Sequence, residues 1–180
     1  MTAPSLPPAL GLARRTVRLL AYDPRWPALF AAERARLVGL LGDLPIEHIG
    51  STAVPGLAAK PVLDLMIGVA GEAARADLIA PLARAGYAHG DMDTIAGRLY
   101  FRRDDAAGRR THQASVCVHG GRFWTEHLAF RDALREDAAL AAAYHRLKEQ
   151  LAARFADDRV AYSEAKSDFV AVVLDALGPR

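Results

Sequence analysis

Cysteine and unbalanced charge are both scarce in this sequence. Its one cysteine, Cys117, excludes an internal disulfide and suits a reducing compartment. The formal net charge is only +2 and the basic residues form no run, so a nucleic-acid partner is not expected. No apolar run is long enough to cross a bilayer, and the apolar residues 1–13 lack a preceding cationic segment. We therefore expect neither a membrane protein nor a signal peptide, and we expect a cytoplasmic location.

What the chain does contain is an ordinary globular composition. With 52% apolar and 24% charged residues, its 180 residues are enough to bury one core. The proline-rich residues 1–15 predict a flexible N-terminal tail, and residues 16–180 predict a single domain. Within that domain, short apolar runs over 16–122 predict an α/β part. Apolar residues at steps of three and four over 123–180 predict C-terminal helices.

The apolar pattern also predicts individual elements of the α/β part. A proline after Asp23 predicts a helix that begins near residue 24 and ends near 41. A second helix is predicted over 72–85, before a glycine that is typical of a helix C-terminus. Strands are predicted over 16–22, 46–49, 62–69, 98–103 and 111–118.

The segment 47–65 carries most of the chemistry in the sequence. One apolar run ends at Gly50, Ser51 and Thr52, and the next apolar run contains a single carboxylate, that of Asp64. A charged side chain inside so apolar a strand is costly unless something pairs with it. The Gly-Ser turn offers backbone N–H groups and hydroxyls that suit a phosphate. The same residues are also typical of an ordinary helix start.

A metal site at this strand would need a second acid. Side chains alternate along a strand, so Asp64 shares a face with Met66, where two-metal transfer enzymes usually carry a second carboxylate. A thioether is a poor ligand for Mg²⁺. The site must therefore be completed elsewhere, with Glu47 as the candidate, or be weak or absent. The alternative for Asp64 is a structural carboxylate held by a helix N-terminus or by Lys60.

Basic and histidine side chains elsewhere in the α/β part are further candidates. Lys60 precedes the Asp64 strand and suits a phosphate, although a solvated lysine would look the same. His112 would reach the same cleft if its strand neighbours that of Asp64. Together, Arg98, Arg102 and Arg110 predict either a basic wall for an anionic ligand or a charged edge hairpin.

Two other features point to structure rather than to a site. His127 and Arg131 lie four residues apart on a predicted helix, which is typical of a surface pair. Cys117 lies in an apolar strand and is interpreted as a small buried residue.

Residues 47–61 with Asp64 resemble the signature of the GrpB family, which belongs to the nucleotidyltransferase superfamily by fold. The resemblance extends over residues 16–177, and related domains also occur fused behind bacterial dephospho-CoA kinases. It implies an α+β fold: a nucleotidyltransferase-like mixed β-sheet with flanking helices and a helical C-terminal part. The family often has His-His-Leu-His after Arg-Thr. Here only His112 of those histidines is present, and an apolar residue at position 66 is usual in the family.

On these grounds we expect a protein that binds a nucleotide or another phosphorylated small molecule. The expected binding residues are Gly50, Ser51, Thr52, Lys60, His112, Arg102 and Arg110. Asp64 is the expected catalytic residue, and Asp64 and Glu47 are the expected ligands of Mg²⁺. The sequence leaves open whether the chain transfers a nucleotidyl group. The alternative is a catalytically inactive module that binds a nucleotide, a CoA-related ligand or a protein partner. No oligomeric state is indicated.

Overall fold

A mixed five-stranded sheet organises the protein. The computed structural model describes residues 9–13, 16–90 and 95–178. The strand order is β1-β2-β5-β4-β3, with β2 and β5 parallel and the other neighbours antiparallel. The strands are β1 (Ile46–Ile49), β2 (Leu63–Val69), β3 (Ala88–His89), β4 (Arg98–Asp104) and β5 (Arg110–Val118). The predicted α+β class is therefore confirmed, and four of the five predicted strands are present.

Helices cover both faces of this sheet. One helix precedes the sheet, two short ones follow β2, and four follow β5 as the predicted helical C-terminal part. They are α1 (Trp26–Leu41), α2 (Ala74–Asp77), α3 (Ile79–Arg84), α4 (Arg122–Glu136), α5 (Ala138–Arg154), α6 (Arg159–Glu164) and α7 (Ser167–Leu177). None of these helices is both long and apolar enough to cross a membrane.

The single helix predicted over 72–85 is divided at Leu78, which ends α2 and precedes α3. Pro81 lies in the first turn of α3. Proline lacks an N–H, and its ring clashes with the carbonyl group four residues earlier, here that of Asp77. A continuous helix through Leu78 is therefore unfavourable, and the chain turns there instead.

The strand predicted over 16–22 is wrong. The backbone is extended there, but it forms an isolated bridge in which Leu20 and Ala59 exchange two hydrogen bonds of 2.8 and 2.9 Å. Pro61 follows two residues after Ala59 and has no N–H to donate, so the ladder cannot continue in that direction.

Part of the predicted N-terminal tail is packed against the sheet. Leu12 is 3% exposed and forms an isolated antiparallel bridge with Arg110. Residues 9–13 are therefore held in place, unlike the flexible tail that the prolines predict. Residues 1–8 and 14–15 lie outside the described residues, so the tail remains a prediction there.

The register of β2 separates two faces of the sheet. Leu63, Leu65 and Ile67 point into the main hydrophobic core, together with residues of α1 and α3. Asp64 and Met66 therefore point to the opposite face, which the C-terminal helices cover. This alternation matches the one predicted from the sequence.

The helix-covered face is apolar at one end and polar at the other. Met66 is fully buried and packs with Ile49, Cys117 and Trp124, the last of which lies on α4. This contact confirms the interpretation of Cys117 as a small buried residue. Asp64 is two residues before Met66 on the same face of β2, and there the C-terminal helices leave a cavity.

Candidate functional site

Gly50 places the turn after β1 directly against Asp64. It adopts φ +70° and ψ −175°, a backbone conformation that suits glycine alone. A Cβ atom at this position would lie 2.5 Å from Asp64 Oδ2 and 3.0 Å from Asp64 Cβ. A short 3₁₀ turn, Ser51–Ala53, follows. The glycine of the predicted turn is thus needed both for its dihedral angles and for the close approach to the carboxylate.

A chain of hydrogen bonds extends from Asp64 across the sheet. Gln113 lies beside Asp64 on β5, and its Nε2 donates to Asp64 Oδ1 at 3.3 Å. The Tyr100 hydroxyl donates to Gln113 Oε1 at 2.9 Å, and Arg110 Nη1 donates to the Tyr100 oxygen at 3.0 Å. Burial raises the pKa of Asp64, and the positive charges of nearby basic side chains oppose that shift.

Three lysines converge on the cavity beside Asp64. The cavity has a volume of about 300 Å³, and Lys60, Lys148 and Lys166 all line it. These are the only lysines of the sequence, in which arginine supplies the other basic side chains. They come from the loop before β2, from α5 and from the residue before α7.

Lys148, on α5, is hydrogen-bonded to the Gly-Ser turn. It is 1% exposed, and its Nζ donates to Ser51 Oγ at 3.0 Å and to the carbonyl oxygen of Ala58. Its ammonium also lies 5.1 Å from the centre of the Tyr144 ring. Burial lowers the pKa of Lys148 to about 7, and the charges of Lys166 and Lys60 contribute to this shift.

Lys60 and Lys166 flank Tyr162. Their ammonium groups lie 5.2 and 4.5 Å from the centre of the Tyr162 ring, respectively. Burial lowers the pKa of Lys60 to about 7, with the charge of Lys166 as a further cause, and burial also lowers the pKa of Lys166. Below about pH 7 the three ammonium groups share a small cavity with the carboxylates of Asp64 and Glu126, which leaves an excess of positive charge suited to an anion.

Glu47 is on the same face of the sheet but is held by α4. Its Oε2 accepts a 2.7 Å hydrogen bond from Nη1 of Arg131, which also donates to the carbonyl oxygen of His48. The Arg131 side chain is only 10% exposed, so it joins the helix to β1 instead of forming the predicted surface pair with His127. The Thr52 hydroxyl is likewise occupied, in a 2.9 Å hydrogen bond with His48 Nε2.

Two carboxylates line the cavity, those of Asp64 and Glu126, and Glu126 already accepts a 2.7 Å hydrogen bond from Arg122 Nε. Within residues 9–13, 16–90 and 95–178, no three His, Cys, Asp or Glu side chains come together as ligands. Glu47 is paired with Arg131, and Met66 lies in the apolar cluster under α4. Mg²⁺ is commonly bound by one or two carboxylates, several waters and the phosphates of a ligand. Asp64 therefore suits only an ion that arrives with a phosphorylated ligand.

His112 lies away from the cavity. Its strand does neighbour that of Asp64, but the register pairs His112 with Leu63 and therefore turns it to the core face. There its ring contacts that of Tyr87, with 6.2 Å between the centroids, and burial lowers its pKa to about 4. A neutral histidine on that face cannot contact a ligand bound beside Asp64.

The two predicted arginines line a neighbouring groove instead. Arg102 pairs with Gln113 in the register of β4 and β5, so it points to the face of Asp64. Arg110 reaches the same face through its hydrogen bond to Tyr100. Neither contributes to the lysine cavity, whereas both line an adjacent groove of about 560 Å³.

Lys148 and Lys166 are the site residues that sequence reasoning missed. Lys148 lies on α5 and Lys166 lies immediately before α7, and in such amphipathic segments a lysine is ordinarily a solvated residue. The signal was their rarity, because a chain that uses arginine for most of its positive charge contains lysine at three positions only. A compact ammonium and a planar guanidinium are not interchangeable in a small cavity.

Comparison with known proteins gives a consistent family match. A family model described as GrpB protein matches residues 16–176. UPF0157 protein YqkA of Bacillus subtilis is 34% identical over 159 residues, which cover 87% of this chain and 46% of YqkA, so the chain spans about half of that relative. Glutamate-rich protein GrpB of Alkalihalophilus pseudofirmus is 31% identical over 173 residues, which cover 93% of this chain and 99% of the relative.

Solved structures agree with the fold. The crystal structure of conserved protein GrpB from Enterococcus faecalis has a TM-score of 0.77 and 33% identity, and the match covers 88% of this chain and 96% of that one. The Cid1 poly(U) polymerase with MgGTP bound has a TM-score of 0.51 and 16% identity, covering 76% of this chain and 45% of that one. The second match shows the nucleotidyltransferase-like fold alone.

Proposed function

The chain belongs to the GrpB protein family, and from this membership and the geometry of the lysine cavity we propose that it binds a phosphorylated small molecule such as a nucleotide. The observation that carries the proposal is the convergence of Lys60, Lys148 and Lys166 beside the Gly50 turn. Three like charges in a partly buried space are mutually unfavourable, and a bound phosphate would offset that cost.

The three lysines have different roles in this proposal. Lys148 is buried and already donates to Ser51 and Ala58, so it positions the turn. Lys60 and Lys166 line the same cavity but are less buried than Lys148, and they bind the phosphate. Because the pKa of Lys60 lies near 7, an anion that stabilises its charged form draws in a proton. Affinity is then highest below about pH 7 and falls as the pH rises above it.

Metal-dependent nucleotidyl transfer is the second candidate, and the placement of Asp64 beside the Gly50 turn favours it. Asp64 would bind an Mg²⁺ ion that the ligand phosphates also hold. Such an ion supplies charge neutralisation on the transferred phosphate. In the absence of a metal, the carboxylate of Asp64 repels a phosphate, so the two candidates predict opposite effects of removing its charge.

Calorimetric titration tests the first candidate, with pyrophosphate, nucleoside triphosphates and dephospho-CoA as ligands. We expect Lys166→Gln to weaken pyrophosphate binding by about tenfold or more, since one charge-assisted hydrogen bond is lost. The matched control is Arg34→Gln, on the exposed side of α1, which should change the affinity less than twofold. Absence of binding to all these ligands in the wild type would contradict the proposal and favour a protein-interaction module.

The same titrations with Asp64→Asn separate the two candidates. Without metal, this substitution should strengthen pyrophosphate binding, because a repulsive charge is removed. If Asp64 binds Mg²⁺ with the ligand, adding Mg²⁺ should strengthen binding to the wild type and leave Asp64→Asn unchanged. An equal response of both proteins to Mg²⁺ would exclude Asp64 as a metal ligand.

A further inference from the structure

An arginine-rich groove adjoins the lysine cavity on the same face of the sheet. Lys60, Gln113 and Ser163 line both spaces, so the two are continuous. The groove has a volume of about 560 Å³. Among the described residues, its charged lining consists of Lys60, Arg98, Arg102, Arg110, Arg159, Asp157 and Asp158.

The register of three strands fixes the distance between the two spaces. Asp64 pairs with Gln113, and Gln113 pairs with Arg102, so the three residues form one row across β2, β5 and β4. Neighbouring strands lie about 4.8 Å apart, which separates the Cα atoms of Asp64 and Arg102 by about 10 Å. This separation exceeds the size of one phosphate group.

The charge of the groove is unbalanced. Its lining has five basic side chains against two carboxylates, and the carboxylate of Asp158 already accepts the N–H groups of Val160 and Ala161 at the start of α6. Arg110 is 8% exposed, and its charge acts with burial to lower the pKa of Arg159. The carboxylate of Asp104, 3.7 Å from Arg110 Nε, offsets part of this positive charge, and an anion in the groove would offset the rest.

We propose that the groove is a second anion-binding subsite, which takes a phosphate or carboxylate group about 10 Å from the group bound in the lysine cavity. This group belongs either to the distal part of one elongated ligand or to a separate anionic acceptor. The chain of hydrogen bonds from Arg110 through Tyr100 and Gln113 to Asp64 forms the floor between the two positions. The subsite goes beyond the proposed function, because its four arginines lie outside the lysine cavity.

Titration with linear phosphates of increasing length tests the subsite. The groove variant is Arg102→Gln/Arg159→Gln, the cavity variant is Lys166→Gln, and Arg34→Gln is the control. The wild type should bind two pyrophosphate ions, one in each space, and the groove variant should bind one. If one elongated ligand bridges the spaces, longer polyphosphates should bind about tenfold more tightly than pyrophosphate to the wild type but not to the groove variant. If the second group belongs to an acceptor, the stoichiometry changes without that gain.

Each variant reports on one space, so the two proposals fail separately. A wild type that binds one pyrophosphate ion, with no effect of the groove variant on stoichiometry or on polyphosphate affinity, would overturn the subsite. If the groove variant loses pyrophosphate binding while Lys166→Gln binds as tightly as the wild type, the cavity is not the phosphate site. Arg102→Gln alone gives a second variant, since its side chain is partly exposed and its loss should not impair folding. It should weaken polyphosphate binding by about tenfold.

Discussion

Replacing Gly50 with alanine tests the closest contact in the cavity, that between the turn and Asp64. The dihedral angles of Gly50, φ +70° and ψ −175°, lie in a region that other residues enter at a cost of about 1–3 kcal/mol. The added Cβ would also meet Asp64 Oδ2 at 2.5 Å and Asp64 Cβ at 3.0 Å. Relieving such a collision by moving buried groups costs about 1–3 kcal/mol more.

The expected loss in the free energy of unfolding for Gly50→Ala is therefore about 2–6 kcal/mol, a large share of the stability of a typical domain. Urea unfolding followed by circular dichroism measures it. Pyrophosphate affinity should fall in the same variant, because the displaced turn carries Ser51 away from Lys148.

Gly56 offers a matched control for this substitution. It also has a positive φ, +77°, but no atom lies within 4 Å of the Cβ that alanine would add. Gly56→Ala should thus show the backbone cost alone, about 1–2 kcal/mol. In an Asp64→Ala background, the cost of Gly50→Ala should shrink by at least about 1 kcal/mol, since most of the colliding group is gone. Equal losses for Gly50→Ala and Gly56→Ala would refute the collision argument.

Substitutions of three buried side chains test the packing on both faces of the sheet. Compared with Lys148→Met, the wild type should gain up to about 4 kcal/mol in its free energy of unfolding as the pH rises from about 7 to about 10. The reason is that the charged lysine is costly to bury, and its pKa in the folded protein is about 7. Urea unfolding along a pH series measures this difference, and a flat profile would contradict it. Glu33 is 6% exposed and accepts hydrogen bonds from Arg36, Arg103 and Tyr87. Burial raises the pKa of Glu33, but these hydrogen bonds outweigh burial and lower the pKa to about 2. Glu33→Gln should therefore cost about 3–5 kcal/mol at pH 7, less as the pH falls from about 4 to 2, with unchanged pyrophosphate binding. Met66→Asp should cost at least about 3 kcal/mol by the same urea assay and give no Mg²⁺-dependent gain in binding, because the position is fully buried among apolar side chains.

The α/β part was predictable because its signals are local. Alternation along β2 sorted Asp64 from Leu63 and Leu65, and the register confirmed that separation. The strand predicted over 16–22 failed for a nonlocal reason. Its partner segment contains Pro61, and nothing within 16–22 reveals that the ladder must stop there.

His112 shows how the position of a side chain depends on one residue of register. The strand of His112 was predicted correctly, and it pairs in parallel with β2, as the prediction of a shared cleft requires. A shift of one residue along β5 would have turned His112 toward Asp64 and Gln113 toward the core. Periodicity gives the alternation within each strand, but the relative phase of two strands depends on their pairing, which no single strand encodes.

The lysines of the cavity come from chain segments that only the fold brings together. Lys148 lies 97 residues after Ser51, to which its ammonium donates, so no spacing rule links the two. The rarity of lysine in the composition is nevertheless an indirect sign that these positions are special. In a chain whose positive charge comes almost entirely from arginine, we expect lysine where arginine is unsuitable. Either the guanidinium is too large for the space, or the group must lose its proton near neutral pH. Lys148→Arg separates the two causes: lack of room predicts a loss of stability at every pH, whereas a need for deprotonation predicts near-wild-type stability below about pH 7 and a growing loss above it, because arginine keeps its charge.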